Sequence, residues 1–412
     1  MCGGCTARRR PAPIAWRAFV SRPDPFPDYG PAHPDDLDAV ARLSRLGFGL
    51  PREVFDRYAA LFGTDTIRRL RLPGSSAGIA ACAAHWTMDQ WFGGRPVPVQ
   101  AIAMVAVDPA LRGSGHGSMM MRSLLMEARQ SGAALSVLWP ATLPFYNRLG
   151  YGRGGVLCQW SAPPAALDLP AERSTAAMFR MADPLDAVPL AALRRPVLAE
   201  GNGLPERTEA LWTLALCPEG EPAELYRNDS GYIAVLPPRD QRLTVADACL
   251  PSGSSLRAGM RLLAGFRAQV DRVAWCGGPD DPIALLAGDG ITLDKREEWL
   301  ARPLDVTRAL EARGYPAGVE TSAEFRLVDP LIPENSGHYR LEVAQSAGKI
   351  FRDAQGSGPA AEIGIGAFAS LFTGHASART LWRAGLLRGD ETMICRLQGL
   401  FCGGAAWMPD RF

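Results

Sequence analysis

The residues best suited to chemistry lie between Ala103 and Gly152. An apolar, strand-like run, Ala103-Met104-Val105-Ala106-Val107, stops at Asp108-Pro109, because proline cannot donate a ladder hydrogen bond. Arg112-Gly113-Ser114-Gly115-His116-Gly117 follows and leads into a helical pattern from Ser118 to about Gln130. With so little side-chain bulk, the loop's backbone N–H groups can close on an anion, and the helix adds its positive end. The spacing reads as a pyrophosphate cradle. It lacks the Gly-Lys-Ser/Thr of a P-loop and fits G-x-G-x-x-G only in part, since Ser118 stands where that pattern would continue. His116, inside the loop, reads as a phosphate contact or an exposed side chain. His85 reads as a core histidine, and His338 and His375 have no partners at metal spacing.

A second strand, Ala134–Trp139, precedes Ala141-Thr142 and then Phe145-Tyr146-Asn147-Arg148-Leu149-Gly150-Tyr151-Gly152. A tyrosine with a reference pKa of about 10 stays protonated at neutral pH and can serve as a proton donor. The elements that must position this stretch start near Asp28. Asp35–Leu46 and Pro51–Leu61 have helical apolar spacing, and Ile67–Leu72, Gly78–Ala84 and Val97–Val107 read as strands. Gly93-Gly94 turns the chain between the last two.

Composition bounds the rest. A chain of 412 residues, 47% hydrophobic and 21% charged, suits two to four ordinary globular domains. A formal net charge of +1 gives no global field for nucleic acid. No stretch reaches the length of a membrane span. The nine cysteines are scattered, and Cys2-x-x-Cys5 lacks a second pair, so they read as reduced thiols of a cytoplasmic protein. No metal is called for. Residues 1–27 carry arginines without a sustained apolar core and read as a disordered tail or an over-extended start.

Pro163-Pro164 marks a boundary. Beyond it, Leu243–Leu250, Pro251, a helix over Ser254–Phe266 and a strand over Arg272–Cys276 repeat the strand, break, helix and strand of the first unit. The loop there, Pro251-Ser252-Gly253-Ser254-Ser255, has no Arg-x-x-Gly-x-Gly. After Pro303 come a helix over Val306–Arg313 and strands Ala323–Val328 and Tyr339–Val343. Helical runs at Ile365–Leu371 and Ala378–Ala384 complete that unit. A terminus carrying Trp407, Met408 and Phe412 is expected to dock rather than fray.

The loop Arg112–Gly117 resembles the acetyl-CoA loop of the GNAT N-acetyltransferases. Together with the tyrosine motif, Leu327-Val328-Asp329-Pro330-Leu331-Ile332-Pro333-Glu334-Asn335 and the terminal Phe412, the chain from about residue 28 resembles the enhanced-intracellular-survival (Eis-type) family. The resemblance implies a mixed α/β (α+β) fold of tandem GNAT domains and a sterol-carrier-like domain. These would be a catalytic unit over 28–162, a degenerate GNAT unit over 163–303 and a sterol-carrier-like unit over 304–412. It implies an enzyme using acetyl-CoA as co-substrate. Val105, Ala106 and Val107 would meet the pantetheine arm, and Arg112, Gly113, Ser114, Gly115, His116, Gly117 and Ser118 the pyrophosphate, with a further contact at Ala141 and Thr142. Tyr146 would be the general acid and the α-carboxylate of Phe412 the general base. Phe48, Phe55 and Tyr58 on the first two helices would wall the acceptor pocket. The family also implies a homohexamer and an acceptor that is an aminoglycoside-like polyamine or, alternatively, a protein lysine. A different class, an acyl-CoA- or lipid-binding regulatory protein, fits less well because Tyr146 stands beside an intact loop. One departure bears on the acceptor: Arg411 precedes Phe412, where an acidic residue would suit a cation.

Overall fold

The computed structural model describes residues 28–72, 78–169, 178–180, 187–353 and 360–412; the tail over 1–27, with Cys2 and Cys5, lies outside them. The first half runs β1 (Tyr29–Pro31), α1 (Leu37–Phe48), α2 (Arg52–Phe62), β2 (Ile67–Arg71), β3 (Ile79–Phe92), β4 (Arg95–Val107), α3 (His116–Gln130), β5 (Leu135–Leu138), α4 (Leu143–Arg148) and β6 (Gly152–Ala162). The middle continues with β7 (Phe179–Arg180), α5 (Ala187–Glu200), β8 (Pro205–Glu206), α6 (Glu209–Leu216), β9 (Glu224–Asn228), β10 (Gly231–Val235), β11 (Arg242–Cys249), α7 (Gly253–Ala264), β12 (Arg272–Gly277), α8 (Pro282–Leu286) and β13 (Thr292–Pro303). The last part holds α9 (Val306–Ala312), β14 (Thr321–Val328), β15 (Gly337–Ala344), β16 (Ala347–Arg352), β17 (Ala361–Gly364), α10 (Ile365–Phe372), α11 (Ala378–Arg383), β18 (Leu387–Arg388) and α12 (Glu391–Leu400).

Among the described residues thirteen strands form one continuous sheet, with β5, β13, β6 and β12 as successive neighbours near its middle. The order β4-α3-β5-α4-β6 is matched element for element by β11-α7-β12-α8-β13, and both β4–β5 and β11–β12 are parallel pairs. The two repeats exchange their last strands. β13 lies between β5 and β6, while β6 lies between β13 and β12, so neither repeat completes its sheet alone. The strand character of β13 is hard to read because Asp294-Lys295-Arg296-Glu297 runs as consecutive charges before the buried Trp299–Pro303.

The third part is a five-stranded sheet in the order β16-β15-β14-β17-β18, with α10 packed on β6 and β13. Close approach there requires glycine: a Cβ on Gly152 would stand 1.8 Å from the Gly366 carbonyl oxygen. Phe325 of this sheet and Phe368 of α10 share one apolar cluster with Val99 and Trp299 of the large sheet. A helix not expected from the sequence, α12, starts where the Asp390 carboxylate accepts the Met393 N–H at 2.7 Å.

Candidate active site

The cleft is built by a parting of β4 and β5. They are paired from Val99↔Leu135 to Ile102↔Leu138; β5 then ends while β4 runs on to Val107. At the same place β4 bulges against β3. Cys82 pairs with Ala106 and Ala84 with Ala103, leaving Met104 and Val105 opposite Ala83 alone, and Met104 takes φ 51°. A bulge of this kind bends the strand and re-aims its groups. Val105, Ala106 and Val107 therefore form one arm of the opening. Ala141 and Thr142, exposed before α4, form the other.

The loop is shaped for an anion. Asp108 Oδ1 accepts the Ala110 N–H at 3.0 Å, and Arg42 pairs with Oδ2 at 3.1 Å; these contacts hold the carboxyl below its usual range. Gly113 and Gly115 take φ of 83° and 89°, left-handed values that side chains disfavour. Arg112, Gly113, Ser114 and Gly115 are exposed, and Gly115 caps α3 without any side chain to occupy the helix's first donors. The first turn of α3 carries no acid that would repel an anion. His116 is buried and turned inward, Nδ1 at 3.4 Å from the Leu111 carbonyl, while Gly117 and Ser118 continue the first turn. The second repeat is the contrast. There Ser252 Oγ accepts the Ser255 N–H at 3.2 Å and Ser255 Oγ takes the Ser252 N–H at 3.0 Å, so the start of α7 is closed by its own side chains.

Tyr146 sits on α4, packed edge-on between Phe145 and Tyr151 at 4.9 and 5.8 Å. Its hydroxyl has no hydrogen-bond partner among the described residues, and burial pushes its pKa up to about 12. The short helix is held from below. Tyr151 pairs with Ser136 Oγ of β5 at 2.6 Å, and Arg302 Nε donates to the Leu149 carbonyl at 2.6 Å. Arg302 in turn grips Asp329 at 2.9 and 3.0 Å, both fully buried. Asp329 also accepts Asn335 Nδ2 at 3.0 Å and the N–H groups of Leu331 and Ile332, which accounts for that segment's composition. Replacing Arg302 by Leu leaves Asp329 buried without its cation. Thermal or denaturant unfolding should show a loss of about 3–5 kcal/mol.

The C-terminus reaches the same cleft. After α12 the chain threads between β6 and the turn at Asn202: Val156 N–H donates to the Ala406 carbonyl at 3.0 Å, Met408 N–H to Val156 at 3.0 Å and Trp407 N–H to Asn202 at 3.0 Å. Gly155 makes the room, since a Cβ there would stand 2.5 Å from the Ala406 oxygen. Asp410 is anchored by Arg207 at 2.6 Å, itself buried between Asp410 and Asp247. Trp139 Nε1 donates to the Asp410 carbonyl at 3.1 Å, and Arg411 lies 5.5 Å over the Trp139 ring while pairing with Glu297. Phe412 ends edge-on to Trp86 at 5.2 Å.

Tyr146 and Phe412 approach the opening from opposite faces. Tyr146 clusters with Leu138, Val105 and Val107, and Phe412 with the neighbouring residues Trp139 and Met104. Successive strand residues point to opposite sides of a sheet.

The comparisons with known proteins bear on this arrangement. Residues 28–154 match an acetyltransferase (GNAT) domain and residues 306–409 a sterol carrier protein domain. An uncharacterized N-acetyltransferase of Streptomyces griseus is 26% identical over 92% of this chain and 98% of its own. A GCN5-related N-acetyltransferase of Anabaena variabilis superposes with a TM-score of 0.86 at 26% identity, covering 93% of this chain and 99% of that one. Eis1 of Mycobacterium abscessus shares the fold, with a TM-score of 0.77 at 20% identity over 93% of this chain and 100% of its own. The chain is an acetyltransferase that carries a GNAT domain, and it has an Eis-like fold.

The acetyltransferase uses acetyl-CoA as its co-substrate, and the bare helix start at Gly115 suits the diphosphate. Of the residues expected to wall an acceptor pocket, Tyr58 stacks on Phe62 at 6.0 Å, and Phe62 on Trp86 at 4.1 Å. Phe55 instead fills the core beneath α1 and α2 with Val40 and Leu43, and Phe48 stands 43% exposed at the end of α1. Phe62, Trp86 and Trp139 were not singled out by spacing. Trp86 shares one face of β3 with the buried Ala84 and Met88. Among the described residues no helix is long and apolar enough to cross a membrane.

Proposed function

We propose that the acetyltransferase moves an acetyl group to primary amines of a bulky cationic, aminoglycoside-like acceptor, with Tyr146 as general acid and the Phe412 carboxylate as general base. The observation that carries this reading is the tail: Phe412 stands against Trp86, across the sheet from Tyr146. An amine with a reference pKa of about 10.4 arrives protonated, and the terminal carboxylate takes that proton, so the nitrogen lone pair is free to attack the thioester carbonyl. Backbone donors at the β4 bulge stabilise the oxyanion that develops. As the carbon–sulfur bond breaks, Tyr146, kept protonated by burial, gives its proton to the sulfur.

The aromatic row Tyr58–Phe62–Trp86 supports a bulky cation through ring faces. The charge of Arg411 does not oppose this, because Glu297 pairs with it. In this reading residues 28–162 carry the chemistry, residues 163–303 hold the tail, and residues 304–412 deliver the carboxylate. A homohexamer in the cytoplasm belongs to the same proposal, and light scattering checks the assembly. Thiol release from acetyl-CoA, measured across aminoglycosides, polyamines and lysine peptides, tests the acceptor. Release with aminoglycosides is expected. Release with lysine peptides alone would move the reading to a protein acetyltransferase, and none with any amine would overturn both.

The loop gives a separate test. Gly115→Ala must adopt a left-handed conformation that costs on the order of 1–2 kcal/mol, with no atom close enough for a clash. Calorimetry should show CoA affinity falling roughly tenfold.

A further inference from the structure

The second repeat keeps the cleft that the first repeat uses. Its parallel pairing ends at Thr244↔Ala274, as that of β4 and β5 ends at Ile102↔Leu138. Counting from those pairs, Cys249-Leu250-Pro251 falls on Val107-Asp108-Pro109 and Trp275 on Trp139. The bulge recurs as well: Ala234 pairs with Asp247 and Val235 with Val245, which leaves Ala246, the counterpart of Met104, unmatched. Asp281 caps α8 where Thr142 precedes α4. Between the two arms lies a cavity of about 250 Å³, lined by Val245 to Leu250 on one side and by Trp275, Cys276 and Asp281 to Ile283 on the other. Helix α5 and the tail residues Trp407 and Pro409 roof it.

We propose that this second cleft is a binding site for a neutral, phosphate-free chain of the pantetheine kind. The proposal rests on reading the first cleft as the acetyl-CoA site. The cavity follows the path between bulge and second arm, so its shape suits a slim chain. Its volume is below the roughly 300–1,000 Å³ of drug-sized pockets. Phosphate is disfavoured, because the Ser252–Ser255 box takes up the Ser255 N–H at the start of α7 and no Arg-x-x-Gly-x-Gly loop precedes that helix. Two of the charged side chains that line the chamber, Arg194 and Asp247, are already paired with each other at 3.8 Å, and Asp247 with Arg207 at 2.6 Å, so neither is a free charge for an ionic ligand. Burial raises the Asp281 carboxyl above its usual range while its Oδ1 accepts Trp275 Nε1 and the Ala284 N–H, both at 3.0 Å. Its remaining lone pairs can accept from the amide N–H groups of such a chain. Apart from Arg194, Asp247 and Asp281 the walls are largely apolar, as an aliphatic chain requires. Because Trp407 and Pro409 form part of the roof, an occupant touches the tail that ends at Phe412.

The experiment is calorimetry on the full chain. A first titration with CoA saturates the first cleft, and a second adds pantetheine. One further molar equivalent of pantetheine should bind to the CoA-saturated protein. Ala248→Leu, which fills the cavity, and Cys276→Phe, at its exposed rim, should each weaken that binding at least tenfold while leaving the CoA titration unchanged. Thermal melts confirm folding, and the rim variant serves if the inner one unfolds. Failure of pantetheine to bind the CoA-saturated protein, or binding that neither variant alters, overturns the proposal. Failure of CoA to bind would instead strike the reading of the first cleft; pantetheine binding that Cys276→Phe abolishes would then still support the second.

Discussion

Tyr146→Phe should lower turnover by about 10²- to 10⁴-fold while the dissociation constant of acetyl-CoA stays within about twofold of wild type. The hydroxyl is the only atom removed, and it has no hydrogen-bond partner among the described residues. The ring's contacts with Phe145 and Tyr151 survive, so α4 has no structural reason to move. The loss therefore falls on proton delivery, for which a positioned acid contributes about that factor. Single-turnover thiol release alongside CoA binding separates the two effects. An equal loss of affinity and turnover would show that the hydroxyl positions the thioester rather than protonating the sulfur. The pH dependence carries a second check. With its pKa pushed up to about 12 by burial, Tyr146 is protonated, and so competent, at every lower pH. Any alkaline decline of the wild-type rate below about pH 10 should therefore persist unchanged in Tyr146→Phe, because Tyr146 is not its source.

The local chemistry of the site is legible in the sequence because it is written in neighbouring residues. Glycines at 113 and 115 signal left-handed turns before a helix, and the structure has both. Asp108-Pro109 signals a strand end, and β4 stops at Val107. What composes the rest of the site comes from far along the chain. Trp86 reads as an ordinary inward strand position until Phe412 arrives beside it. Arg302 reads as the end of an apolar run, yet it ties the tyrosine helix to Asp329 across 27 residues of sequence. Arg207 shows no local pattern at all; its meaning lies in Asp247 and Asp410, both far downstream. The exchange of β6 and β13 is invisible for a related reason. Strand partners are chosen by register over long separations, and β13 opens on charges rather than on an alternating pattern.

Appending a single residue after Phe412 should abolish acetyl transfer without unfolding the protein. The tail is fixed upstream of its last residue by the backbone bonds to Val156 and Asn202, by Arg207 on Asp410, and by Arg411 on Trp139 and Glu297. None of these contacts involves the terminal carboxylate. The melting midpoint should then change by no more than the 2–4 °C that about 1 kcal/mol represents in a domain of 150–250 residues. The carboxylate itself would move by about 3.8 Å, one Cα spacing, and an amide bond would take its place. A general base must stand within hydrogen-bond reach of the proton it takes, directly or through one water, so the rate should fall by about 10²- to 10⁴-fold. C-terminal amidation is the stricter version, since it leaves the Phe412 ring and backbone in place and replaces one carboxylate oxygen by NH2, removing the charge and the basicity. The two variants should be equally inactive if the carboxylate is the base. If amidation is harmless while the extension is not, the tail acts by filling the pocket beside Trp86, and the base must be sought elsewhere in the cleft.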